Sequence, residues 1–197
     1  MSGNDRMVRI YVIDNGGQWT HREWRTLRDL DVDTKIVPNT TPLQELQKEE
    51  IHGLVLSGGA PRIGLASTLG NCAEYLDNAK FPILGICAGH QFMARHFGGE
   101  VKPSKLPEFG QVEITLCVDD DPLFTSVPKK SIVWESHNDE VTVLPKNFRK
   151  IAESDNCVIQ AMGQLKRQFY GLQFHPEVEH TQYGEQIFKN FINLCKG

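Results

Sequence analysis

The sequence predicts an α/β protein with a central, mostly parallel sheet that is flanked by helices and carries additional antiparallel strands in its second half. In the first half, short apolar runs alternate with segments of helical periodicity, the order that produces a parallel β-α-β sheet. After Gly99, several strand-like runs follow one another without long helices between them, which is typical of antiparallel pairing. The length of 197 residues is that of one domain. We therefore predict a single domain over 1–197, with a flexible polar segment at 1–6.

The individual elements are predicted in chain order from hydrophobic periodicity. The short helix after Thr41 also has a start signal, because Thr41 can cap it, Pro42 suits its first position and Gln44 can complete a capping box. Apolar residues alternate with polar ones over 112–118, and they recur at helical spacing over 187–195. The other predicted strands are 8–13, 34–37, 53–56, 83–86 and 169–174, and the other predicted helices are 20–30, 71–79 and 89–97.

Composition and charge narrow the possible functions. With 40% hydrophobic and 23% charged residues, the chain has an ordinary globular composition. A net charge of −4 argues against a nucleic-acid partner, because nucleic-acid-binding domains gather Lys and Arg on one face. No apolar run approaches the ~18 residues of a membrane span, and the polar N-terminus does not resemble a signal peptide. Five cysteines without metal-ligand spacing predict reduced thiols in a cytoplasmic protein that binds no metal.

The segment 85–91, Gly-Ile-Cys-Ala-Gly-His-Gln, is the strongest single indication of chemistry. It places Cys87 between a predicted buried strand and a predicted helix, with glycines two positions away on either side. This is the arrangement of a nucleophile elbow, in which a sharp strand-to-helix turn presents the reactive side chain. The start of the helix favours the thiolate, which attacks carbonyl carbons. Cys87 is therefore predicted as a catalytic nucleophile, whereas the other four cysteines are predicted as inert core residues: Cys72, Cys117, Cys157 and Cys195.

A base for this nucleophile is predicted where the late strand at 169–174 ends in His175-Pro176-Glu177. Pro176 biases the preceding residue toward extended geometry, and residues two apart on an extended segment project to the same side. Glu177 can then hold the imidazole ring of His175. The predicted set is Cys87 as nucleophile, His175 as general base and then general acid, and Glu177 as the orienting carboxylate.

These motifs resemble those of the class I (triad) glutamine amidotransferases, in which G-[IVL]-C-x-G-x-Q and a downstream F-H-P-E carry the triad. The resemblance covers nearly the whole chain and implies a class I glutamine amidotransferase-like fold. It also implies an oxyanion loop at 57–59, with the backbone N–H groups of Gly59 and Ala88 as the donors. The substrate-binding residues that it implies are Gly58, Gln91, Ser136 and His137.

Two departures from the family pattern bear on the oxyanion loop. Ala60 stands between the second glycine and Pro61, where most members have the proline directly after the glycines. Ala88 stands where many members have a larger residue, which matters little if the backbone is the donor. The turn after Gly59, and with it the resting state of the oxyanion hole, is left open by the sequence.

Three further segments resemble one branch of the family, the glutaminases of GMP synthetases. They are Asp-Asn-Gly-Gly-Gln at 14–18, Trp-Glu-Ser-His-Asn-Asp-Glu-Val at 134–141 and Phe-His-Pro-Glu-Val-Glu-His-Thr at 174–181. This resemblance implies that the chain hydrolyses L-glutamine to glutamate and ammonia through a Cys87 γ-glutamyl thioester. It implies a hetero-oligomer in which a separate ATP pyrophosphatase subunit takes the ammonia and converts XMP to GMP. No cofactor is expected in this chain, and ATP and magnesium are expected on the partner.

Other functions are compatible with the same triad. One alternative is the glutaminase subunit of another amidotransferase, such as anthranilate synthase, although those glutaminases usually have an Asp-Asn-Tyr sequence at the position of 14–18. Another is a freestanding hydrolase of γ-glutamyl peptides. A non-catalytic regulatory module is disfavoured by the intact triad. A strict need for free glutamine, with slow turnover until a partner is added, would separate the amidotransferase from the freestanding hydrolase.

Overall fold

The computed structural model describes residues 7–197, so the predicted flexible segment 1–6 lies outside the described residues. Nine strands form one sheet. They are β1 (Ile10–Asn15), β2 (Ile36–Pro38), β3 (Gly53–Gly59), β4 (Ile83–Ile86), β5 (Glu100–Leu116), β6 (Lys130–Val143), β7 (Arg149–Glu153), β8 (Ala161–Gln164) and β9 (Phe169–Leu172). The helices are α1 (Thr20–Asp29), α2 (Leu43–Lys48), α3 (Cys72–Asn78), α4 (Ala88–His96) and α5 (Gly184–Cys195).

The strand order confirms the predicted division of the sheet into two halves. Across the sheet the order is β2-β1-β3-β4-β9-β8-β7-β5-β6, and the strands from β2 to β9 in that order are parallel. The four strands beyond β9 pair antiparallel. Because β9 is the last strand in sequence but lies beside β4, the end of the chain returns to the centre of the sheet. This crossover brings residues that are far apart in sequence to one sheet edge.

Helices cover both faces of the parallel half, which explains why its central strands are almost continuously apolar. On one face, Leu27 of α1 packs in the same core cluster as Phe188 and Phe191 of α5. On the other face, α2, α3 and α4 contribute a second cluster that includes Leu46, Leu76 and Met93. Within the described chain, none of the helices is both long and apolar enough to cross a membrane.

The structure corrects two local predictions. The N-cap of α2 is Pro42, not Thr41, and no side chain caps it, because the Thr41 hydroxyl donates instead to the Pro38 carbonyl oxygen at 2.7 Å. The predicted capping box is therefore wrong. Cys117 is exposed, not a core residue. It follows the buried Leu116 at the end of β5, and successive side chains of an extended segment point to opposite faces.

Candidate active site

Cys87 occupies a strained turn between β4 and α4. It is the N-cap of α4, with φ 49° and ψ −105°. A positive φ is uncommon outside glycine, and such a conformation costs about 1–3 kcal/mol, which persists only where the surrounding structure enforces it. Its side chain is almost buried, at 8% exposure. The backbone geometry is that of the predicted nucleophile elbow.

The flanking glycines serve close packing and do not supply the turn itself. A side chain at Gly85 would place its Cβ 2.7 Å from the carbonyl oxygen of Gly89, which real Cβ atoms do not approach. The strained φ therefore lies at Cys87, whereas the glycines allow the first turn of α4 to lie directly against the end of β4. The glycines therefore permit the sharp turn by allowing this close packing, and the motif identified its place.

His175 reaches this turn because β9 pairs with β4. The Cys87 amide donates to the Leu172 carbonyl oxygen at 2.8 Å, and the imidazole Nδ1 of His175 lies 2.6 Å from Glu177 Oε1. The chain after β9 is not extended as predicted, since the Val178 amide donates to the His175 carbonyl oxygen at 3.4 Å and closes a turn. Glu177 thus contacts the ring across a turn rather than along a strand.

The electrostatics of this pair favour a protonated imidazole. Burial by itself would lower the pKa of His175, but the charge of Glu177 and hydrogen bonds with Cys87 and Glu177 more than offset it, so this pKa lies well above its usual value. An imidazole stabilised as a cation is suited to hold the proton that it takes from a thiol. The arrangement can therefore perform the two proton transfers of acyl-transfer chemistry.

The oxyanion loop lies against the same two side chains. A Cβ placed on Gly58 would lie 3.2 Å from His175 Cε1 and 3.5 Å from Cys87 Cβ. Gly59 ends β3, where it pairs with Asn15 and forms a bridge with Gly16. Ala88, the other predicted donor, begins α4 and is buried. Gly59 and Ala88 thus flank the thiol, and their role as oxyanion donors stays a prediction.

Cys87 separates two cavities that share Gly59, Ala60, Cys87 and Ser136 in their linings. The smaller has a volume of about 200 Å³, and Gln91, His137 and Asp139 also line it. The larger has a volume of about 310 Å³, and Trp19, Glu23, His175 and Glu177 also line it. The thiol therefore has access to two different spaces.

The predicted substrate-binding residues are divided between the two cavities: Gln91 and His137 line the smaller one, Gly58 lines the larger one, and Ser136 lines both. Gln91 is buried, and its Nε2 donates to the Asp139 carbonyl oxygen at 2.7 Å and to Gln173 Oε1 at 3.1 Å. The Ser136 carbonyl oxygen lies 3.7 Å from Cys87 Sγ. Gln173, which the sequence did not single out, places its Nε2 3.7 Å from the same sulfur.

The ring of His137 is turned away from the thiol into a buried polar network. Its Nε2 lies 3.0 Å from Glu108 Oε2, and its Nδ1 lies 3.0 Å from the Asp139 carbonyl oxygen. Glu108 also accepts hydrogen bonds from Gln160 and Ser154. This network fixes the strand that carries Ser136 and His137. Any contact of His137 with substrate is therefore made by its backbone. The sequence could not show whether the ring or the backbone of His137 faces the substrate.

Asp139 ties the loop after Gly59 to β6. Its carboxylate accepts from Arg62 Nε at 3.0 Å and from Arg62 Nη2 at 2.5 Å, and it also accepts from the Gly64 amide at 3.0 Å. Arg95 of α4 holds the same loop by donating to the carbonyl oxygens of Ile63 and Ser67. Bidentate hydrogen bonds between charged groups fix the relative position of the two side chains and also stabilise the fold.

We expect Asp139→Asn to lower the free energy of unfolding by about 1–2 kcal/mol, because a buried carboxylate loses its charge-assisted hydrogen bonds with a half-exposed arginine. Urea denaturation measures this change. Asp29→Asn is the matched control, since the Arg28–Asp29 pair is exposed on both sides and its loss is expected to cost no more than about 0.5 kcal/mol. Equal stability of the two variants would contradict the structural role of Asp139.

The sequence did not predict Glu23 or Trp19 as neighbours of the triad. The ring of Trp19 packs edge-on against that of His175, with centroids 4.5 Å apart. Glu23 is 1% exposed, and its burial and the nearby charge of Glu177 hold its pKa well above the usual value. A signal for Glu23 was available, because an acid stands between Thr20 and Leu27 on the buried stripe of α1.

Cys87, at a strained strand-to-helix turn, thus faces a histidine and a glutamate from the segment that follows a neighbouring strand, which is the arrangement of a nucleophile with its base and an orienting carboxylate. The family described as glutamine amidotransferase class-I matches residues 11–194, and the chain belongs to this family. A glutamine amidotransferase from Thermotoga maritima shares the fold, with a TM-score of 0.70 at 23% identity over 97% of this chain and 83% of that one.

Much closer relatives carry one particular name. The glutamine-hydrolysing GMP synthase subunit of Thermoplasma acidophilum is 52% identical, covering 96% of this chain and 94% of the relative. The relative of the same name from Archaeoglobus fulgidus is 47% identical, over 96% of this chain and 100% of the relative. A crystal structure of a Thermoplasma acidophilum protein assigned as a GMP synthase subunit superimposes with a TM-score of 0.91 at 50% identity, over 98% of this chain and 96% of that one. The resemblance found in the sequence motifs is confirmed.

Proposed function

We propose that this chain hydrolyses L-glutamine to glutamate and ammonia through a γ-glutamyl thioester on Cys87, and supplies the ammonia to a separate ATP pyrophosphatase subunit that converts XMP to GMP. The observation that carries the proposal is the strained Cys87 beside the His175–Glu177 pair, in a chain similar to proteins named as the glutamine-hydrolysing subunit of GMP synthase. We propose that the enzyme acts in the cytoplasm, where its thiols stay reduced.

In the first half of the reaction, the Cys87 thiol gives its proton to His175, and the thiolate attacks the amide carbon of glutamine. The negatively charged substrate oxygen accepts hydrogen bonds from the N–H groups of Gly59 and Ala88. One such donor is worth about 3–4 kcal/mol in a protease. His175 then returns its proton to the amide nitrogen as the C–N bond breaks. Ammonia leaves, and the γ-glutamyl thioester remains on Cys87.

In the second half, water replaces ammonia beside the thioester. His175 takes a proton from this water, the hydroxide adds to the thioester carbon, and the charge again falls on the oxygen that faces the oxyanion donors. Collapse releases glutamate, and the proton held by His175 returns to the sulfur. Glu177 stabilises the imidazolium in both halves through its 2.6 Å contact with Nδ1. The chain itself needs no cofactor for these steps.

The smaller cavity suits the amino-acid end of glutamine. Its polar lining comes from Gln91, from Ser136 and from the backbone at His137, and it opens on the same thiol. The α-amino and α-carboxylate groups of free glutamine both need polar partners away from the sulfur. γ-Glutamyl peptides carry the same amino-acid end and extend instead from the γ-amide nitrogen, so the space on the leaving-group side of the thiol decides between them and free glutamine.

The partner is expected to dock at the mouth of the larger cavity, because ammonia released into bulk water is lost. The surface that we propose consists of segments 18–25 and 179–183. Gln18 and Trp19 line the larger cavity. Glu179 and Thr181 line a second groove together with Thr26 of α1. Tyr183 is 45% exposed there. We propose that ATP and magnesium bind to the partner subunit.

The test is to measure glutamate release by the chain alone, with the ATP pyrophosphatase subunit, and with that subunit plus ATP, magnesium and XMP. We expect the rate to rise in the complete mixture, with GMP formed in step with glutamate. Cys87→Ala is the control, because ammonia-dependent GMP formation by the partner should survive it. Equal rates in all three mixtures, together with separate elution of the two chains on size exclusion, would contradict the two-subunit function. Faster hydrolysis of γ-glutamyl peptides than of glutamine would support the freestanding hydrolase instead.

A further inference from the structure

The larger cavity contains an acidic group for which hydrolysis of glutamine has no use. Glu23 is 1% exposed, and its Oε2 is buried without a hydrogen-bond partner among the residues that the structure describes. Glu23 is not part of the triad, and it reaches the cavity from α1 rather than from the elements that carry Cys87 or His175. A buried carboxyl oxygen with no donor is costly, so its retention in a cavity calls for a ligand that supplies the donor.

Two further groups of the lining match a small cation that carries N–H groups. The Oε2 of Glu177 is likewise buried and without a partner in the described part of the chain, and Glu177 lines the same cavity. The indole of Trp19 lies against His175 at this cavity, and aromatic faces attract ammonium cations. Two acceptor oxygens and an aromatic ring thus lie at this cavity, and groups of these kinds recognise ammonium.

We propose that the larger cavity is an ammonium site, in which Glu23 receives the ammonia released at Cys87. This inference rests on the proposed function, because glutamine hydrolysis is what produces ammonia at the thiol. Ammonia leaves as a neutral molecule, since His175 has already supplied the proton to the amide nitrogen. In the cavity it takes the carboxyl proton of Glu23, giving ammonium opposite a carboxylate. It returns that proton to Glu23 when it moves on as ammonia, so no proton is gained or lost.

The protonation state of Glu23 is consistent with this exchange. Its burial and the neighbouring charge of Glu177 raise its pKa well above the usual value, although His175 and the Gly58 amide act in the opposite direction. The charged and titratable groups that face it are Glu177 and His175 from the segment after β9 and Cys87 from the elbow. The carboxyl of Glu23 is thus neutral before ammonia enters the cavity. Carboxylate and ammonium form together, so no isolated charge is buried.

The test uses ammonium chloride as the probe and the unfolding temperature of the purified chain as the readout, at fixed pH and constant ionic strength. Sodium chloride controls for ionic strength, and tetramethylammonium chloride controls for a cation without N–H donors. A ligand that binds only the folded protein raises the unfolding temperature in a saturable way. We expect this rise with ammonium alone. In Glu23→Gln the half-maximal ammonium concentration should increase by about tenfold or more, as for one lost charge-assisted hydrogen bond.

Two further variants separate the loss of the Glu23 acceptor from a general effect of removing an acid. Glu23→Met fills a similar volume without an acceptor and should lose the ammonium effect in the same way, while Asp29→Asn, an exposed acid on the same helix, should retain it. Identical curves for ammonium and sodium in the unaltered chain, or unchanged ammonium dependence in both Glu23 variants, would overturn the ammonium site. Glutamine hydrolysis measured on the same preparations decides the proposed function separately. Normal hydrolysis without saturable ammonium binding overturns this inference and leaves the glutaminase standing.

Discussion

Cys87→Ser is expected to abolish glutamine hydrolysis while leaving the fold intact. The hydroxyl of serine has nearly the size of the thiol but is a far weaker nucleophile at neutral pH, and the strained turn that presents it is unchanged. In a protease in which one triad member was removed, kcat fell by about 10⁶, so a fall on the order of 10⁴ or more is expected here. Glutamate release under saturating glutamine measures it.

The chain offers a matched control for thiol chemistry. Cys117 is the exposed cysteine at the end of β5, and Cys117→Ser should hydrolyse glutamine at the unaltered rate. The unfolding temperatures of both variants should match that of the parent chain. Substantial glutamate release by a correctly folded Cys87→Ser protein would show that the nucleophile lies elsewhere.

His175→Ala is expected to have the second largest effect, because one imidazole takes up a proton and gives it back in both halves of the reaction. General acid–base catalysis contributes about 10²–10⁴ in rate, and a nucleophile without its base loses further activity. Since Cys87 and His175 act as a unit, a double variant with Cys87→Ser should be no slower than the Cys87→Ser single variant. The measurement is kcat for each single variant and for the pair.

Glu177→Gln provides a graded version of the same test. Glutamine at this position keeps the size of the side chain but removes the charge that stabilises the imidazolium across the 2.6 Å contact, so an intermediate loss of kcat is expected. Glu45→Gln, the same substitution at an exposed position of α2, is the control. A His175→Ala protein that retained kcat within about tenfold of the parent chain would exclude His175 as the base.

The sequence was sufficient for the frame of the fold and for naming Cys87, His175 and Glu177, which the structure brings together. The apolar run at 83–86 predicted β4 to the residue, and the change of pattern after Gly99 predicted the antiparallel half of the sheet. Cys87 was identifiable because its neighbours must be small. The His-Pro-Glu motif was identifiable because it follows an apolar strand.

What the sequence could not supply depends on contacts between elements that are distant along the chain. The turn after His175 is set by how the segment packs on β6, since the His175 amide donates to the Trp134 carbonyl oxygen at 2.9 Å. The approach of Trp19 to His175 depends on where α1 rests on the sheet. The spacing of Glu23 along α1 is that of a buried position. Its place in the lining of the cavity beside Cys87 depends on tertiary packing, which the sequence does not show.

Mass spectrometry of the enzyme quenched in acid during turnover can detect the γ-glutamyl thioester on Cys87. Acid protonates His175 and stops hydrolysis of the thioester, so the intermediate should survive digestion. We expect a mass increase of one glutamyl group on the peptide that contains Cys87, and none when Cys87→Ser is treated in the same way. An enzyme that releases glutamate but carries no adduct at any time of quenching, or that carries it on another of its cysteines, would contradict the account.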